Sequence, residues 1–354
     1  MSSLRKTRLD IIEDLPLISV RGLRDQSSQE FKRTADAIGN AAQSSGFFRI
    51  CDHGIDMELI EGTYDAASRF FALSERSKRR YYIGNSTNHR GYVPFTEKGD
   101  YPDEVNRSYE AFDLGLDLPS VDPDYLAGNR LLGPNVWPAL DDFKKPVSAY
   151  YAKVSMLGRL LCSALELYLG LPDGTMKRHM NKPISQLRLL HYVRQASIKE
   201  HTSVNMGAHT DYECLTLLHT RNAGLQVMTQ DDRWIDVPVD PATLVVNIGD
   251  MLEAWSNGVF RSTPHRVLNL SPERYSLPYF VAANYDAVIK PFRQLVEAGK
   301  APKYKSFLAG EHLERMLVRD FPYLREAVRM KSAVRGHPSF ENPFEGRLKQ
   351  KASQ

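Results

Sequence analysis

Two histidines and one aspartate have the residue types and spacing of a metal site. His209 and Asp211 are separated by one threonine, and His265 follows much later in the segment STPHRV. Residues i and i+2 of a strand project from the same face, so His209 and Asp211 would stand side by side. Two imidazoles and one carboxylate on one face of an octahedral ion suit ferrous iron and leave three positions open. Alone, an HxD pair usually marks two polar loop residues.

A second pair of residues predicts an anion site and strengthens this interpretation. Arg274 and Ser276 are again i and i+2, on one face of a predicted strand. A guanidinium and a hydroxyl placed together can clamp a carboxylate. The alternative is an ordinary arginine on a surface strand. However, Ser276 leads into the apolar run LPYFV, and an arginine facing a buried interior needs a partner. A bound dicarboxylate would supply that partner.

The elements that would position these residues change character along the chain. Residues 1–180 are predicted to be mainly helical, with helices from about Ser28 to Gly46, Met57 to Phe71 and Phe143 to Leu169. Short strands are predicted from residue 185 to 290, and their close spacing indicates a sandwich or a two-sheet jelly roll. The predicted strands are Phe47–Ile50, Gln186–Tyr192, Leu215–Thr220, Leu225–Thr229, Trp234–Val237, Leu244–Ile248, Leu252–Ser256, Arg266–Asn269 and Ser276–Ala282. Helix is expected again over 303–330.

Composition excludes several classes of protein. The 354 residues carry a formal net charge of +3, which is too even to favour a nucleic-acid or membrane partner. No window approaches the roughly 20 apolar residues of a membrane span, and the first residues do not have the apolar core of a secretory signal, so none is expected. Cys51, Cys162 and Cys214 are too few and too far apart for a disulfide framework. A cytoplasmic protein is therefore expected.

The order and spacing of these motifs resemble a known family. HTD, then STPHRV, then RYS, is similar to the isopenicillin N synthase-like branch of the Fe(II)/2-oxoglutarate-dependent dioxygenases. The resemblance covers most of the chain. Further segments similar to that family are Phe47-Phe48, Asp52-His53-Gly54-Ile55, Arg90-Gly91-Tyr92, Leu187–Tyr192, Gly249-Asp250 and Gly310–Leu313.

The resemblance implies a fold and a set of site residues. The fold would be mainly β with flanking helices, a double-stranded β-helix or distorted jelly roll. Residues 1–354 would form one dioxygenase domain, with a mainly helical part (1–180), a jelly-roll core (185–290) and C-terminal helices (303–330). By resemblance, the Fe(II) ligands would be His209, Asp211 and His265. The groups holding the distal carboxylate of 2-oxoglutarate would be Arg274, Ser276 and Tyr192.

The resemblance also implies a reaction. With O2, 2-oxoglutarate would be converted to succinate and CO2 while a C–H bond of a small metabolite, as in secondary metabolism, is hydroxylated, desaturated or closed into a ring. One alternative is an oxidase of the same fold that does not use 2-oxoglutarate, whose Arg274 and Ser276 would bind the carboxylate of its substrate. Another is a non-catalytic binding protein, against which the intact motifs argue.

Residues that would contact the substrate are predicted less directly. By resemblance, Arg90 and Tyr92 lie in a loop facing the substrate, although a solvated loop arginine is an equally good reading of Arg90. Tyr212 could line the mouth of the site if its strand ends there, and Phe280 could reach the pocket. Lys98–Asn106 and the loop near His201 are candidate lids. The sequence carries no signal for the substrate identity or the oligomeric state.

Overall fold

The computed structural model describes residues 15–97, 108–193, 204–326 and 344. The fold is mainly β with flanking helices, a double-stranded β-helix, as expected. In chain order, the strands of the described residues are β1 Leu17–Ser19, β2 Phe47–Cys51, β3 Gly91–Val93, β4 Tyr109–Gly115, β5 Gln186–Val193, β6 Val204–His209, β7 Leu215–Thr220, β8 Leu225–Met228, β9 Trp234–Asp236, β10 Leu244–Ile248, β11 His265–Leu268, β12 Glu273–Val281, β13 Val288–Ile289 and β14 Phe307–Leu308.

Two sheets form the core of the fold. The major sheet has the strand order β1-β2-β10-β7-β12-β5-β4-β3, and the minor sheet has the order β6-β11-β8-β9. The strands β13 and β14 form a separate small pair. All pairings in the major sheet are antiparallel except that of β1 with β2. Alternate residues of β5, β7 and β12 line one cavity together with residues of the minor sheet.

Helices pack beside these sheets. Their bounds are α1 Gln29–Ser44, α2 Met57–Phe71, α3 Glu75–Lys78, α4 Pro123–Leu126, α5 Lys144–Tyr168, α6 Asp250–Trp255 and α7 Ala309–Asp320. Short 3-10 turns cover Arg21–Arg24, Arg79–Tyr81, Ile83–Asn85, Lys177–His179 and Arg293–Leu295. No helix in the described part of the chain is long and apolar enough to cross a membrane.

Local sequence signals explain where the first helices form. The hydroxyl of Ser28 accepts a hydrogen bond of 3.0 Å from the Phe31 backbone N–H, which satisfies a free donor at the start of α1. Phe31, Ala35 and Ile38 recur at helical spacing and are buried. Gly46 then adopts φ +71°, a left-handed conformation that glycine tolerates, and the chain continues directly into β2. These predicted boundaries are therefore confirmed.

The structure differs from the predicted elements at β4 and α6. The sequence analysis did not predict β4, a seven-residue buried strand beside β5 in the major sheet. The predicted strand Leu252–Ser256 is instead part of α6. A short apolar run fits a buried strand and a buried helix equally well, and here Gly249 occupies the N-cap position with Asp250 in the first turn. The candidate lids at Lys98–Asn106 and around His201 lie outside the described residues.

Candidate active site

Pairing of two strands in the minor sheet brings the two histidines together. His209 is the last residue of β6, His265 is the first of β11, and the two are direct cross-strand partners. Asp211 lies two residues beyond the end of β6 and turns back toward them. Its Oδ1 is 3.7 Å from His209 Nε2 and 3.6 Å from His265 Nε2. One ligand atom from each residue falls within 4.8 Å of the others, which is a separation that one metal ion can bridge.

Backbone carbonyls orient both imidazole rings. His209 Nδ1 is 2.7 Å from the Gly207 carbonyl oxygen, and His265 Nδ1 is 3.3 Å from that of Thr263. A carbonyl only accepts, so each Nδ1 carries the proton and each Nε2 presents a lone pair. Metal-binding histidines in proteins are commonly held in this way. The rings are thus positioned to bind a cation through Nε2.

The two oxygens of Asp211 have different partners. Oδ2 accepts hydrogen bonds from the Thr216 hydroxyl and from Asn247 Nδ2, the latter at 2.7 Å. The Asp211 backbone carbonyl also accepts a 2.8 Å hydrogen bond from the Asp250 N–H at the start of α6. These contacts fix the carboxylate so that Oδ1 faces the histidines.

Electrostatics favour the protonation states that bind metal. Burial, and then the nearby His209, lowers the pKa of His265 to about 4, so its ring is neutral near pH 7. Burial alone would raise the pKa of Asp211, but the neighbouring histidines and the hydrogen bonds from Thr216 and Asn247 outweigh it and lower the pKa. A neutral imidazole and an ionised carboxylate are the forms that coordinate metal ions.

Arg274, Ser276 and Tyr192 meet at another part of the same cavity. Arg274 is 3% exposed, donates a 3.2 Å hydrogen bond to the Ser276 hydroxyl, and lies 4.7 Å from the centre of the Tyr192 ring. Its Nε has no hydrogen-bond partner. Among the described residues, no carboxylate lies within 4 Å of its guanidinium. A buried cation of this kind requires an anion, and the distal carboxylate of 2-oxoglutarate fits that requirement.

Of the four residues predicted to contact the substrate, two line the cavity and two do not. Tyr212 and Phe280 line the cavity. Arg90 is fully buried, and its guanidinium donates to the backbone carbonyls of Asn88, His89 and Leu131. Tyr92 is also fully buried, and its hydroxyl donates to glutamate side chains outside the cavity. Neither residue is among the described residues that line the cavity, so their expected contact with substrate is corrected.

Several polar residues of the cavity were not predicted from the sequence. Arg188 is held by Asp113 through two 2.7 Å hydrogen bonds. Asp320, at the end of α7, accepts a hydrogen bond from the Tyr212 hydroxyl. Glu213 is 4% exposed, and burial followed by the charge of Asp211 raises its pKa to about 8. Further residues of this group are Gln186, Thr216 and Asn247.

Comparison with protein families agrees with this geometry. Residues 184–283 match the profile of the 2OG-Fe(II) oxygenase superfamily, and residues 15–140 match that of the N-terminal region of non-haem dioxygenases in morphine synthesis. The first match contains His209, Asp211, His265 and the Arg274–Ser276 pair. The two matches together contain the strands of the major and minor sheets and the helices α1 to α4 and α6, whereas α5 lies between the matched ranges.

Named relatives point to the same chemistry. Homoarginine-6-hydroxylase 2-ODD-233 of Oryza sativa subsp. japonica is 31% identical over 306 residues, which are 83% of this chain and 92% of the relative. Clavatol oxidase claD of Penicillium crustosum is 31% identical over 79% of this chain and 88% of its own. The 2-oxoglutarate-dependent dioxygenase tropC of Talaromyces stipitatus is also 31% identical, over 79% and 89%.

Solved structures share the architecture. A 2OG-Fe(II) oxygenase family protein from Caulobacter crescentus superposes with a TM-score of 0.74 at 31% identity, over 89% of this chain and 99% of that one. Neurospora crassa T7H, in complex with alpha-KG and thymine, has a TM-score of 0.72 at 26% identity, over 90% and 97%. These relatives do not favour the 2-oxoglutarate-independent alternative. The chain belongs to the 2OG-Fe(II) oxygenase superfamily and is a 2-oxoglutarate-dependent dioxygenase that uses Fe(II) to oxidise a small-molecule metabolite, with succinate and CO2 as co-products.

Proposed function

We propose that His209, Asp211 and His265 are the Fe(II) ligands, through the two Nε2 atoms and Asp211 Oδ1. The observation that carries this assignment is that the two carboxylate oxygens of Asp211 have different partners. Its Oδ2 is occupied by Thr216 and Asn247, whereas Oδ1 faces both imidazoles. Each ligand is held by a partner of its own, so the site is preorganised before any ion enters.

We propose that Arg274, Ser276 and Tyr192 bind the distal carboxylate of 2-oxoglutarate. The guanidinium supplies charge and paired N–H donors, while the Ser276 and Tyr192 hydroxyls add further donors. When bound, iron and 2-oxoglutarate together supply the oxidation of a substrate C–H bond by O2. The protein's own contribution is to hold the 2-oxoglutarate chain in one orientation and to enclose the reacting groups in an apolar cavity.

We further propose that Tyr212 and Phe280 contact the substrate, because both line the cavity that also contains the proposed iron ligands. The combination of HTD, STPHRV and RYS supports placing the chain in the isopenicillin N synthase-like branch, as one catalytic domain. Cys51, Cys162 and Cys214 are all free thiols, which supports a reducing, cytoplasmic location. The nearly balanced numbers of basic and acidic residues support a small-molecule partner over nucleic acid or membrane. A role in secondary metabolism fits the fungal relatives.

Two variants test the ligand assignments separately. His209→Ala removes one of three ligands, and we expect it to abolish both Fe(II) binding in anaerobic equilibrium dialysis and the formation of succinate. Arg274→Gln removes the cation but no iron ligand, so we expect near-normal Fe(II) binding with roughly 10- to 100-fold weaker binding of 2-oxoglutarate.

Measuring both Fe(II) binding and 2-oxoglutarate binding in the two variants tests the metal site and the carboxylate clamp independently. Undiminished Fe(II) binding in His209→Ala would refute the metal site. Unchanged 2-oxoglutarate affinity in Arg274→Gln would refute the carboxylate clamp while leaving the metal site intact. Arg266→Gln is a matched control, because Arg266 lies on the minor sheet over the Trp234 ring and does not line the cavity; it should behave as the wild type in both measurements.

A further inference from the structure

The cavity contains a second arginine, which takes no part in the proposed iron and 2-oxoglutarate sites. Arg188 lies on β5, where alternation places it on the same face as Leu190, and both residues line the cavity. In the register of β5 with β12, Leu190 pairs with Ser276 and Gln186 pairs with Phe280. Arg188 therefore lies between the level of the proposed 2-oxoglutarate clamp and that of Phe280, a proposed substrate contact.

Two neighbours hold the guanidinium of Arg188 in place. Its Nε and Nη2 each donate a 2.7 Å hydrogen bond to one oxygen of Asp113, the buried cross-strand partner on β4. The ring of Phe321, directly after α7, has its centre 5.5 Å from the guanidinium carbon. A paired contact of this kind fixes the plane of the group. The third nitrogen, Nη1, has no hydrogen-bond partner among the residues that the structure describes, and the side chain is 16% exposed. The donors on Nη1 are therefore left for a ligand.

The charges around Asp113 give the sign of that ligand. Arg90 precedes Gly91, the cross-strand partner of Asp113 on β3, and is fully buried. Burial lowers the pKa of Arg90 to about 10, so it is still charged near pH 7. His89 Nε2 is 3.8 Å from Asp113, but burial lowers the pKa of His89 to about 3 and leaves its ring neutral. Within the described part of the chain, Asp113 is the one carboxylate within 4 Å of Arg188, and none lies that close to Arg90. Arg90, Arg188 and Asp113 together therefore carry one positive charge in excess, which an anionic group on a ligand would offset.

We propose that the substrate is a small metabolite with a carboxylate group, which accepts hydrogen bonds from Nη1 of Arg188 while Tyr212 and Phe280 contact its carbon skeleton. This inference rests on the proposed iron and 2-oxoglutarate sites, because they define which part of the cavity remains for the substrate. Arg188 would determine specificity, and Asp113 would be the positioning residue that orients it. Phe321 adds apolar surface beside the guanidinium, which favours a compact carbon skeleton next to the acid group.

The test compares carboxylates with neutral amides of the same shape. Anaerobic enzyme is loaded with Fe(II) and 2-oxoglutarate, so that Arg274 is already occupied, and is titrated with three matched pairs: benzoate and benzamide, phenylacetate and phenylacetamide, and hexanoate and hexanamide. Affinity is read by calorimetry, so the readout does not require turnover. For at least one pair we expect the carboxylate to bind roughly tenfold or more tightly than its amide, as a charge-assisted hydrogen bond predicts.

Variants assign the preference to a residue. Arg188→Gln removes the charge that faces the cavity and leaves Asp113 to offset Arg90, so the preference for the carboxylate should fall to about threefold or less, with Fe(II) and 2-oxoglutarate bound as in the wild type. Arg266→Gln is the matched control, because Arg266 does not line the cavity, and it should keep the preference. Thermal unfolding establishes that each variant is folded. If Arg188→Gln does not fold, Arg188→Lys replaces it. A lysine keeps the charge beside Asp113 but has one nitrogen in place of three, so the preference should fall at least about threefold.

Each outcome bears on a distinct claim. If no carboxylate binds more tightly than its amide, if the folded Arg188 variant keeps the preference, or if Arg266→Gln loses it as fully, the inference is overturned. It is also overturned if Arg188→Gln weakens the binding of 2-oxoglutarate instead, because Arg188 would then belong to the cosubstrate site. The proposed function survives the first three results as long as the wild type binds Fe(II) and 2-oxoglutarate. Failure of the wild type to bind them would instead refute the proposed function, and the same titrations of the unloaded wild type and Arg188→Gln would then decide whether Arg188 binds carboxylates by itself.

Discussion

At the scale of single residues, the site depends on side chains that we do not propose to bind iron or 2-oxoglutarate themselves. Thr216 and Asn247 both donate to Oδ2 of Asp211 and so leave Oδ1 directed at the histidines. Removing such a donor frees the carboxylate to rotate, and loss of comparable outer contacts in metalloproteins weakens metal binding by about 10- to 100-fold.

We therefore expect Thr216→Val to bind Fe(II) about 10- to 100-fold more weakly while remaining folded, measured by equilibrium dialysis and by thermal unfolding. Thr220→Val is the matched control. Thr220 is a buried threonine of the same strand, and its hydroxyl bonds to the Asn222 carbonyl. If Thr216→Val and Thr220→Val bind Fe(II) equally well, the Thr216 hydroxyl does not position Asp211.

The sequence could reveal the residues proposed to bind iron and 2-oxoglutarate, but not the residues that hold Asp211 in position. His209 and Asp211, like Arg274 and Ser276, have i, i+2 spacing, but alternation along a strand places only Arg274 and Ser276 on one side. Asp211 lies beyond the end of β6, and its contacts with Thr216 and Asn247 direct it at the histidines. Thr216 and Asn247 are single polar residues inside the apolar runs LTLL and LVVNI, which is a signal that could have marked them. Their target is set by strand pairing between β7 and β10, and no local pattern predicts that pairing.

At the scale of elements, the start of α6 holds the loop that carries Asp211, a proposed iron ligand. Gly249 N–H donates to the Cys214 carbonyl at 2.9 Å, and the next residue donates to Asp211. A Cβ on Gly249 would lie 2.3 Å from the Glu213 backbone oxygen, far inside van der Waals contact. Only glycine lets the start of α6 approach the loop that carries Asp211 so closely.

Gly249→Ala should consequently displace that loop. We expect a loss of roughly 1–3 kcal/mol in the free energy of unfolding, together with weaker Fe(II) binding, measured by urea denaturation and dialysis. Gly62→Ala is the control. Gly62 lies within α2, its added Cβ would meet Pro146 at an ordinary 3.7 Å, and the change should be neutral or stabilising. Equal stability of both variants would contradict the proposed role of the close approach.

Elements with a regular apolar pattern could be predicted from the sequence. Elements that depend on contacts between distant parts of the chain could not. Met57–Phe71, Leu215–Thr220 and Leu244–Ile248 were predicted with the bounds that the structure has, because their apolar spacing is regular and turn residues bound them. By contrast, β4 takes its place from pairing with β5, and α6 takes its form from the contacts of its first turn. Such long-range contacts leave no local periodicity.

At the scale of the whole molecule, stability should depend on pH through buried histidines. His89 is 3% exposed, accepts φ +58°, and contacts the Tyr323 hydroxyl at 2.6 Å. Burial lowers its pKa from 6.5 to about 3. Below pH 6.5 the unfolded chain therefore takes up a proton that the folded chain does not. The contribution of His89 to stability is complete above pH 6.5 and declines as the pH falls toward about 3.

His89→Asn removes this titration, and asparagine tolerates the left-handed backbone. Between pH 7 and pH 5 we expect the variant to lose about 2 kcal/mol less stability than the wild type, measured by urea denaturation at both pH values. His179→Asn is the control, because His179 is only partly buried and should change the slope less. Equal slopes for the wild type and His89→Asn would show that His89 does not resist protonation in the folded state.

The placement of the three proposed iron ligands has a consequence for assembly. Both histidines belong to the minor sheet, whereas Asp211 is anchored to β7 and β10 of the major sheet. A cation bound by all three residues would connect the minor sheet to the major sheet. Loading the metal would then stiffen the contact between the two sheets, and its loss would loosen that contact.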